Sequence, residues 1–188
     1  NGSAATLDDA VRAHTTLALS AADVASVSAF VQQAGSEATG VAVGRYVKFE
    51  ALGEFNGNPW SSMAEFNLLG SNGAVLGRTG WTATADSAEL VGENGKVAHI
   101  LDGNASTIWH TQWYSATPKP PHWVVVDMRA VQSITGFRYT PRAGGGNGTV
   151  AAYRLFVSMD GVAWGSPVVQ GDLKTLGAAN LEKTVVFK

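Results

Sequence analysis

The spacing of hydrophobic and polar positions changes character near residue 40. Residues 1–38 are Ala-rich, and their spacing predicts two short helices. The segment "TLDDAVRAH" carries acids early and a basic end. The segment "LSAADVASVSAFVQQAG" starts with Ser20 and has Asp23 three residues later, a capping-box spacing. Val24, Val27, Phe30 and Val31 then fall at i, i+3, i+6 and i+7 and draw one apolar stripe. Gly35 fits the C′ stop of such a helix. The reading is a helical hairpin with one apolar face, and that face needs a surface to pack on.

From residue 40 onward the helical period gives way to short β-rich runs separated by Gly, Asn, Asp and Pro clusters. The runs are "GRYVKFEAL", "AEFNLLG", "WTATADS", "HWVVVDM", "ITGFRYTPR", "AAYRLFVSMDG" and "KTVVFK". Strands at such spacing, with turn chemistry between them, predict an all-β sandwich or barrel. "SMDGVAW" reads as a hairpin, because Asp160-Gly161 is a strong turn dipeptide. There is no tandem repeat. The expected division is a helical extension over residues 1–39 and a β-module over residues 40–188.

Composition narrows the function classes. The chain has 188 residues, of which 45% are hydrophobic and 15% charged, a globular composition with a lightly charged surface. The net charge is -2 with no basic run, which argues against nucleic acid and anionic membrane as partners. No stretch approaches the ~20 apolar residues of a membrane-spanning helix. The absence of Cys removes disulfides, a thiolate nucleophile and a cysteine zinc site. The chain opens on "NGSAAT" without methionine, so it reads as a mature product or an excised fragment of a larger protein. Carboxylates are scattered at Asp86, Glu89, Glu93, Asp102, Asp127, Asp160, Asp172 and Glu182, and nothing marks an acid–base pair among them. No "GxSxG" elbow appears, and "AGGGNG" is not followed by the Lys-Ser/Thr of a phosphate loop.

Five segments carry a family resemblance: "AHILDGNASTIWHTQW", "PKPPHWVVVDM", "ITGFRYTPR", "YRLFVSMDGVAWGSPV" and "GRYVKFEALGEFNGNPWSSMAEFNLL". Together they resemble the discoidin, or coagulation factor 5/8 type C, superfamily. Within it they are most similar to family 32 carbohydrate-binding modules and to the sugar-binding domain at the N-terminus of galactose oxidases. The resemblance implies a jelly-roll-like β-sandwich. One departure concerns order. The "RYVKFEALGEFNGNPWSSMAEFNLL" block, last in the usual family order, comes first here at residues 45–69. Either the domain is circularly permuted, or this block is the tail of a truncated preceding module. Each motif occurs once, so the parts sum to one sandwich, which favours permutation. Residues 1–38 resemble the C-terminal end of bacterial di-haem c-type cytochrome oxidoreductases, although no "CxxCH" haem-attachment motif is present.

The segment "TIWHTQW" raises the central functional question. In a regular strand Trp109, Thr111 and Trp113 share one face and His110 takes the other. On one reading Trp109 and Trp113 are core and His110 is a satisfied buried histidine. On the other, Trp109 is core, the chain bends after His110, and His110 and Trp113 face a ligand together. A sugar needs polar groups for its hydroxyls and an aromatic platform for its C–H face. The resemblance implies that His110, Arg142 and Asn147 grip hydroxyls. It likewise places Trp113 and Trp60 as the stacking rings and Glu89 as a further acceptor.

A second constellation is oxygen-rich. "HILDGNAST" offers Asp102, the carbonyl of Asn104, and the hydroxyl and carbonyl of Thr107 within six residues. Oxygen ligands from a tight loop suit a hard cation, although Asp102-Gly103 also reads as a plain turn. The resemblance implies a structural Ca²⁺, or Na⁺, at this place. It would be completed by the carbonyl of His99 and by Glu182 with the carbonyl of Leu181. The resulting expectation is a non-catalytic, monomeric carbohydrate-binding module. It would tie an attached enzyme, itself a candidate redox protein, to a galactose-type sugar or related polysaccharide in a bacterial secreted or periplasmic setting. The alternative is a structural discoidin domain that packs on a catalytic neighbour and binds no sugar. The two differ in whether Trp60 and Trp113 stand around one cleft with His110 and Arg142 or lie buried.

Overall fold

A computed structural model describes residues 40–188. The helical hairpin expected over residues 1–39 lies outside the described residues. Ten strands follow in chain order. They are β1 (Ala42–Ala51), β2 (Ser62–Met63), β3 (Glu65–Leu69), β4 (Thr82–Ala85), β5 (Trp109–His110), β6 (His122–Ile134), β7 (Gly136–Thr140), β8 (Ala152–Ser158), β9 (Val169–Asp172) and β10 (Lys183–Val186). One antiparallel sheet has the order β4-β6-β1-β8-β9, a second the order β10-β7-β3, and β2 pairs with β5. Each of the seven β-rich runs holds one strand. β2, β5 and β9 have two to four residues, too few to show a period. The hairpin expected at "SMDGVAW" joins β8 to β9. Asp160 holds its turn by accepting the Val162 and Ala163 N–H groups at 2.8 and 2.9 Å.

Strand period explains the core. Along β6, His122, Val124, Val126 and Met128 are buried while Trp123, Val125 and Asp127 are half-buried. In β1 the phase slips once. Ala42 and Gly44 face inward, then Val47, Phe49 and Ala51 do, because a bulge falls between Gly44 and Tyr46. Arg45 clamps that bulge with a two-pronged ion pair to Asp127 at 2.8 and 2.9 Å. Phe49 on β1 is the hub between the two main sheets. Its ring lies 5.5 Å from Phe66, 5.7 Å from Phe137 and 5.8 Å from Tyr153. Burying such a ring is worth roughly 2–3 kcal/mol, and truncating it to alanine costs about 3–5 kcal/mol.

The leading block is built into the same sandwich as the rest. β1 runs between β6 and β8, and β3 pairs with β7. Gly40, at the start of β1, packs against the carbonyl of Phe187, and Phe187 N–H bonds Thr135 O at 2.8 Å. Both ends of the described chain therefore meet at one pole. The opposite pole carries the loops after β1 and β7, where Phe55 N–H bonds Thr149 O at 2.9 Å and Ser62 N–H bonds Gly148 O at 2.7 Å.

Candidate functional site

A buried carboxylate builds one wall of a cleft at that loop-bearing pole. Glu89 Oε1 accepts the N–H groups of Val91 and Gly92, and Oε2 those of Trp113 and Tyr114, each at 2.8 Å. The Trp113 and Tyr114 amides, then those of Gly92 and Val91, hold the Glu89 carboxyl down to about 2 against the opposing effect of burial. These bonds fix the bend that sequence parity demanded. β5 ends at His110, and the chain turns so that Trp113 comes round to the same cleft. Trp113 Nε1 then donates to Glu93 Oε1 at 2.9 Å.

A second carboxylate braces the other wall. Glu54, also buried, accepts the N–H groups of Asn56 and Asn58 at 2.7 and 3.0 Å and so shapes the loop that carries Trp60. His122 ties that loop to the sheet. Its Nδ1 meets Asp86 Oδ2 at 2.8 Å and its Nε2 meets the Pro59 carbonyl at 3.0 Å. Both partners only accept, so both ring nitrogens carry protons. Burial pulls the His122 pKa down, but the Asp86 carboxylate and the Pro59 and Pro118 carbonyls outweigh it and raise the pKa.

The floor comes from His110 and the loop after β7. Trp109 is fully buried with Nε1 on Ser87 O at 2.8 Å, while His110 faces the cleft. His110 Nδ1 meets Thr111 O at 2.7 Å and stands 3.7 Å from Glu93 Oε1, which fixes the ring in the cleft floor. Gly95 passes so close behind His110 that a Cβ there would sit 3.1 Å from its carbonyl oxygen. Gly148, at φ +88°, lets the Asn147 loop lie on Ser62. The Asn147 carbonyl accepts Ser62 Oγ at 3.2 Å and Arg142 Nη1 at 3.4 Å, which ties Arg142 to the loop after β7. Beneath them the buried Tyr139 hydroxyl donates to Ser62 O at 3.0 Å and accepts Val150 N–H at 2.9 Å. Burial pushes that phenol well above its ordinary pKa.

Trp60, Glu93, His110, Trp113, Arg142 and Asn147 together line an open cavity of about 240 Å³. Five of the six residues expected at a sugar site are thus brought together. Glu89 is the exception: it lies behind the wall with its oxygens committed to four amides and does not line the cavity. Glu93 takes the place of the carboxylate in the cleft. Its only sequence signal was proximity to Glu89 in "AELVGEN". The cleft offers the His110 imidazole, the Glu93 carboxylate, donors at Arg142 and Asn147, and two indole rings. Glu54 and His122, which set the Trp60 wall, went unread: the partners of His122 lie 36 and 63 residues away, and Glu54 bonds nearby amides without any motif that marks it.

The expected cation loop forms in part. Asp102 Oδ1 accepts Asn104 N–H at 2.8 Å and Oδ2 accepts the Thr107 hydroxyl at 2.7 Å. Leu181 and Glu182 do not complete it, which corrects the sequence expectation. The Leu181 carbonyl takes the Lys183 ammonium at 2.7 Å, and a cation would be repelled there. Glu182 Oε2 takes the Thr140 hydroxyl at 2.9 Å. Against the effect of burial, the Thr107 hydroxyl, the Asn104 amide and Glu65 on β3 lower the Asp102 pKa. Glu65 Oε2 pairs with Arg78 at 2.5 Å, while its Oε1 is buried with no partner. Arg78 Nη1 also donates to Ile100 O at 3.2 Å, which brings Glu65 beside the oxygen-rich loop, and its orphaned oxygen suits a hard cation only where Arg78 gives way. Among the described residues no three His, Cys, Asp or Glu side chains gather as metal ligands, so such an ion would lean on carbonyl and hydroxyl oxygens.

An antiparallel sandwich whose polar loops line a small-ligand cleft defines the class of protein: a recognition module on a discoidin-like frame. The family can be stated directly. The chain belongs to the F5/8 type C domain family, which matches residues 74–188. It is 38% identical over 135 residues to a galactose oxidase of Gibberella zeae, covering 69% of this chain and 19% of that protein. It is also 38% identical over 94 residues to a sialidase of Micromonospora viridifaciens, covering 50% of this chain and 14% of the sialidase. A third relative is named A type blood N-acetyl-alpha-D-galactosamine deacetylase, from Flavonifractor plautii. It is 35% identical over 97 residues, covering 49% of this chain and 12% of the relative. The chain thus spans less than a fifth of the length of these relatives. No helix among the described residues is long and apolar enough to cross a membrane.

Proposed function

We propose that this chain is a non-catalytic carbohydrate-binding module that holds a larger secreted enzyme on a galactose-type glycan. The observation that carries the reading is the convergence of Trp60, Glu93, His110, Trp113, Arg142 and Asn147 from separate segments onto one cavity of about 240 Å³. That volume is below the ~300 Å³ floor of drug-sized pockets and suits one sugar ring. Trp113 and Trp60 take the apolar face of the ring. The His110 imidazole and Glu93 bond hydroxyls, and Arg142 and Asn147 donate to them. Relatives named for galactose and for N-acetyl-galactosamine support the galactose-type choice. At about 0.3 kcal/mol per heavy atom, a hexose of about 12 such atoms gains roughly 4 kcal/mol, a Kd near ~1 mM. Weak single-site binding of this order suits a module that keeps an enzyme near a surface without trapping it.

The structural-domain alternative needs Trp60 and Trp113 buried in core or interface. Both instead line the cleft, and Trp113 is 38% exposed. We also propose that a hard cation, Ca²⁺ or Na⁺, is held by Asp102, Glu65, Thr107 and the carbonyls of His99 and Asn104. Its contribution would be to pin the loop before β5 to β3. The functional test is a glycan array and calorimetric titration on the purified chain beside Arg142→Ala. Binding to galactosides that disappears in a folded Arg142→Ala variant supports the sugar reading. A folded wild-type chain that binds no glycan refutes it.

A further inference from the structure

The rim beside the cleft is apolar, exposed and held rigid, which the single-ring site does not require. Leu90 is 62% exposed, Val91 73% and Tyr114 65%. These three belong to the two segments pinned by Glu89, whose carboxylate takes the Val91, Gly92, Trp113 and Tyr114 amides. Gly92 lets the segments close on each other. A Cβ at Gly92 would fall 2.7 Å from the Trp113 ring and 3.1 Å from Tyr114 Cβ. The apolar rim is therefore continuous with the cleft wall. The Tyr114 ring stands 6.0 Å from that of Trp113 at 78°. A pyranose stacked on Trp113 cannot lie flat on Tyr114 as well, because the two ring planes are nearly perpendicular. The cavity of about 240 Å³ is filled by one ring. A second ring, joined through a glycosidic bond and leaving the cleft on this side, meets the Tyr114 face with Leu90 and Val91 beside it.

We propose that Tyr114, flanked by Leu90 and Val91, forms a second subsite, so that the module reads a neutral oligosaccharide of at least two residues and not a lone terminal sugar. The inference rests on the sugar reading above. Rim side chains without charge match uncharged pyranose faces, and a tyrosine supplies both a stacking ring and a phenol. One aromatic platform of this kind is worth about 3- to 10-fold in affinity.

The test is calorimetric titration of methyl β-galactoside against a panel of α- and β-linked galactosyl disaccharides, on the wild-type chain and on Tyr114→Ala, Tyr114→Phe and Val91→Ser. Circular dichroism checks the fold of each variant. The expected result is at least one disaccharide bound about 3- to 10-fold tighter than the monosaccharide. That gain should vanish in Tyr114→Ala, shrink in Val91→Ser and persist in Tyr114→Phe, with monosaccharide affinity changed less than about twofold. If Tyr114→Ala fails to fold, Val91→Ser against wild type decides. Monosaccharide binding without any disaccharide gain overturns this inference and leaves the sugar reading standing, as does a gain untouched by these variants. No binding of any sugar overturns both.

Discussion

Replacing Tyr139 with phenylalanine removes one oxygen from the middle of the fold, and its effect can be worked out from two distances. The hydroxyl donates to Ser62 O at 3.0 Å and accepts Val150 N–H at 2.9 Å, in a site closed to solvent. The substitution orphans a buried donor and weakens a buried acceptor. An unsatisfied buried amide costs about 1–3 kcal/mol, and a carbonyl with a second lone pair somewhat less. The sum is about 2–4 kcal/mol, a large share of the 5–15 kcal/mol that usually holds a domain together. At about 2–4 °C per kcal/mol for a domain of this size, Tm should fall by roughly 5–15 °C. Urea unfolding followed by tryptophan fluorescence measures it, and the midpoint should drop with no change in slope. The affected groups also carry the cleft floor. Ser62 pairs with His110 and bonds Asn147 O, so galactoside affinity at low temperature should weaken in the same variant. A Tyr139→Phe protein within ~0.5 kcal/mol of wild type would refute the reasoning, because the two buried groups would then have found other partners.

The remaining predictions separate scaffold from site. Trp109→Ala should destabilise by about 3–5 kcal/mol, whereas Trp113→Ala should abolish sugar binding with Tm nearly unchanged; paired melting and titration experiments distinguish them. Glu89 has its pKa depressed in the fold, so its contribution is fully present above the ordinary carboxylate pKa. It is lost as pH falls from about 4.3 toward about 2. An acid titration of Trp113 fluorescence should show the wall opening in that window, and Glu89→Gln should show it open at neutral pH. His122 has its pKa raised in the fold, so its contribution is full below pH ~6.5 and disappears as pH rises through the folded value. Melting curves across that range should therefore flatten in His122→Gln. Added Ca²⁺ should raise Tm and a chelator lower it, an effect that Glu65→Gln should abolish; a rise that survives Glu65→Gln but not Glu182→Gln would reverse the ligand assignment.

Much of this architecture was legible because it is local. The run "HWVVVDM" read as a strand and forms part of β6, and the Trp109–His110 parity showed that a shared cleft required a bend after His110. What lies between distant segments was not legible. Arg78 ties Glu65 to the Ile100 carbonyl beside the Asp102 loop only once the chain is folded, and no spacing in the chain announces that meeting. Glu89 and Glu93 are four residues apart and chemically alike, yet one props the wall and the other faces the cleft. The difference lies in which of them finds unpaired amides nearby. The phase slip at Gly44 was equally hidden, because an extra residue in a strand leaves the composition untouched.

The meeting of Gly40 and Phe187 at the pole opposite the cleft sets the reach of the module. β1 spans ten residues between the two poles, about 33 Å at ~3.3 Å per residue. The described chain enters and leaves the sandwich at the same foot, on the far side from the cleft. On the proposed function the sandwich is a spacer post, with its base toward an attached enzyme and its tip toward glycan. A host held this way stands off the glycan by the length of a strand. Tethering the chain to a sensor surface through its C-terminus should leave the cleft facing outward.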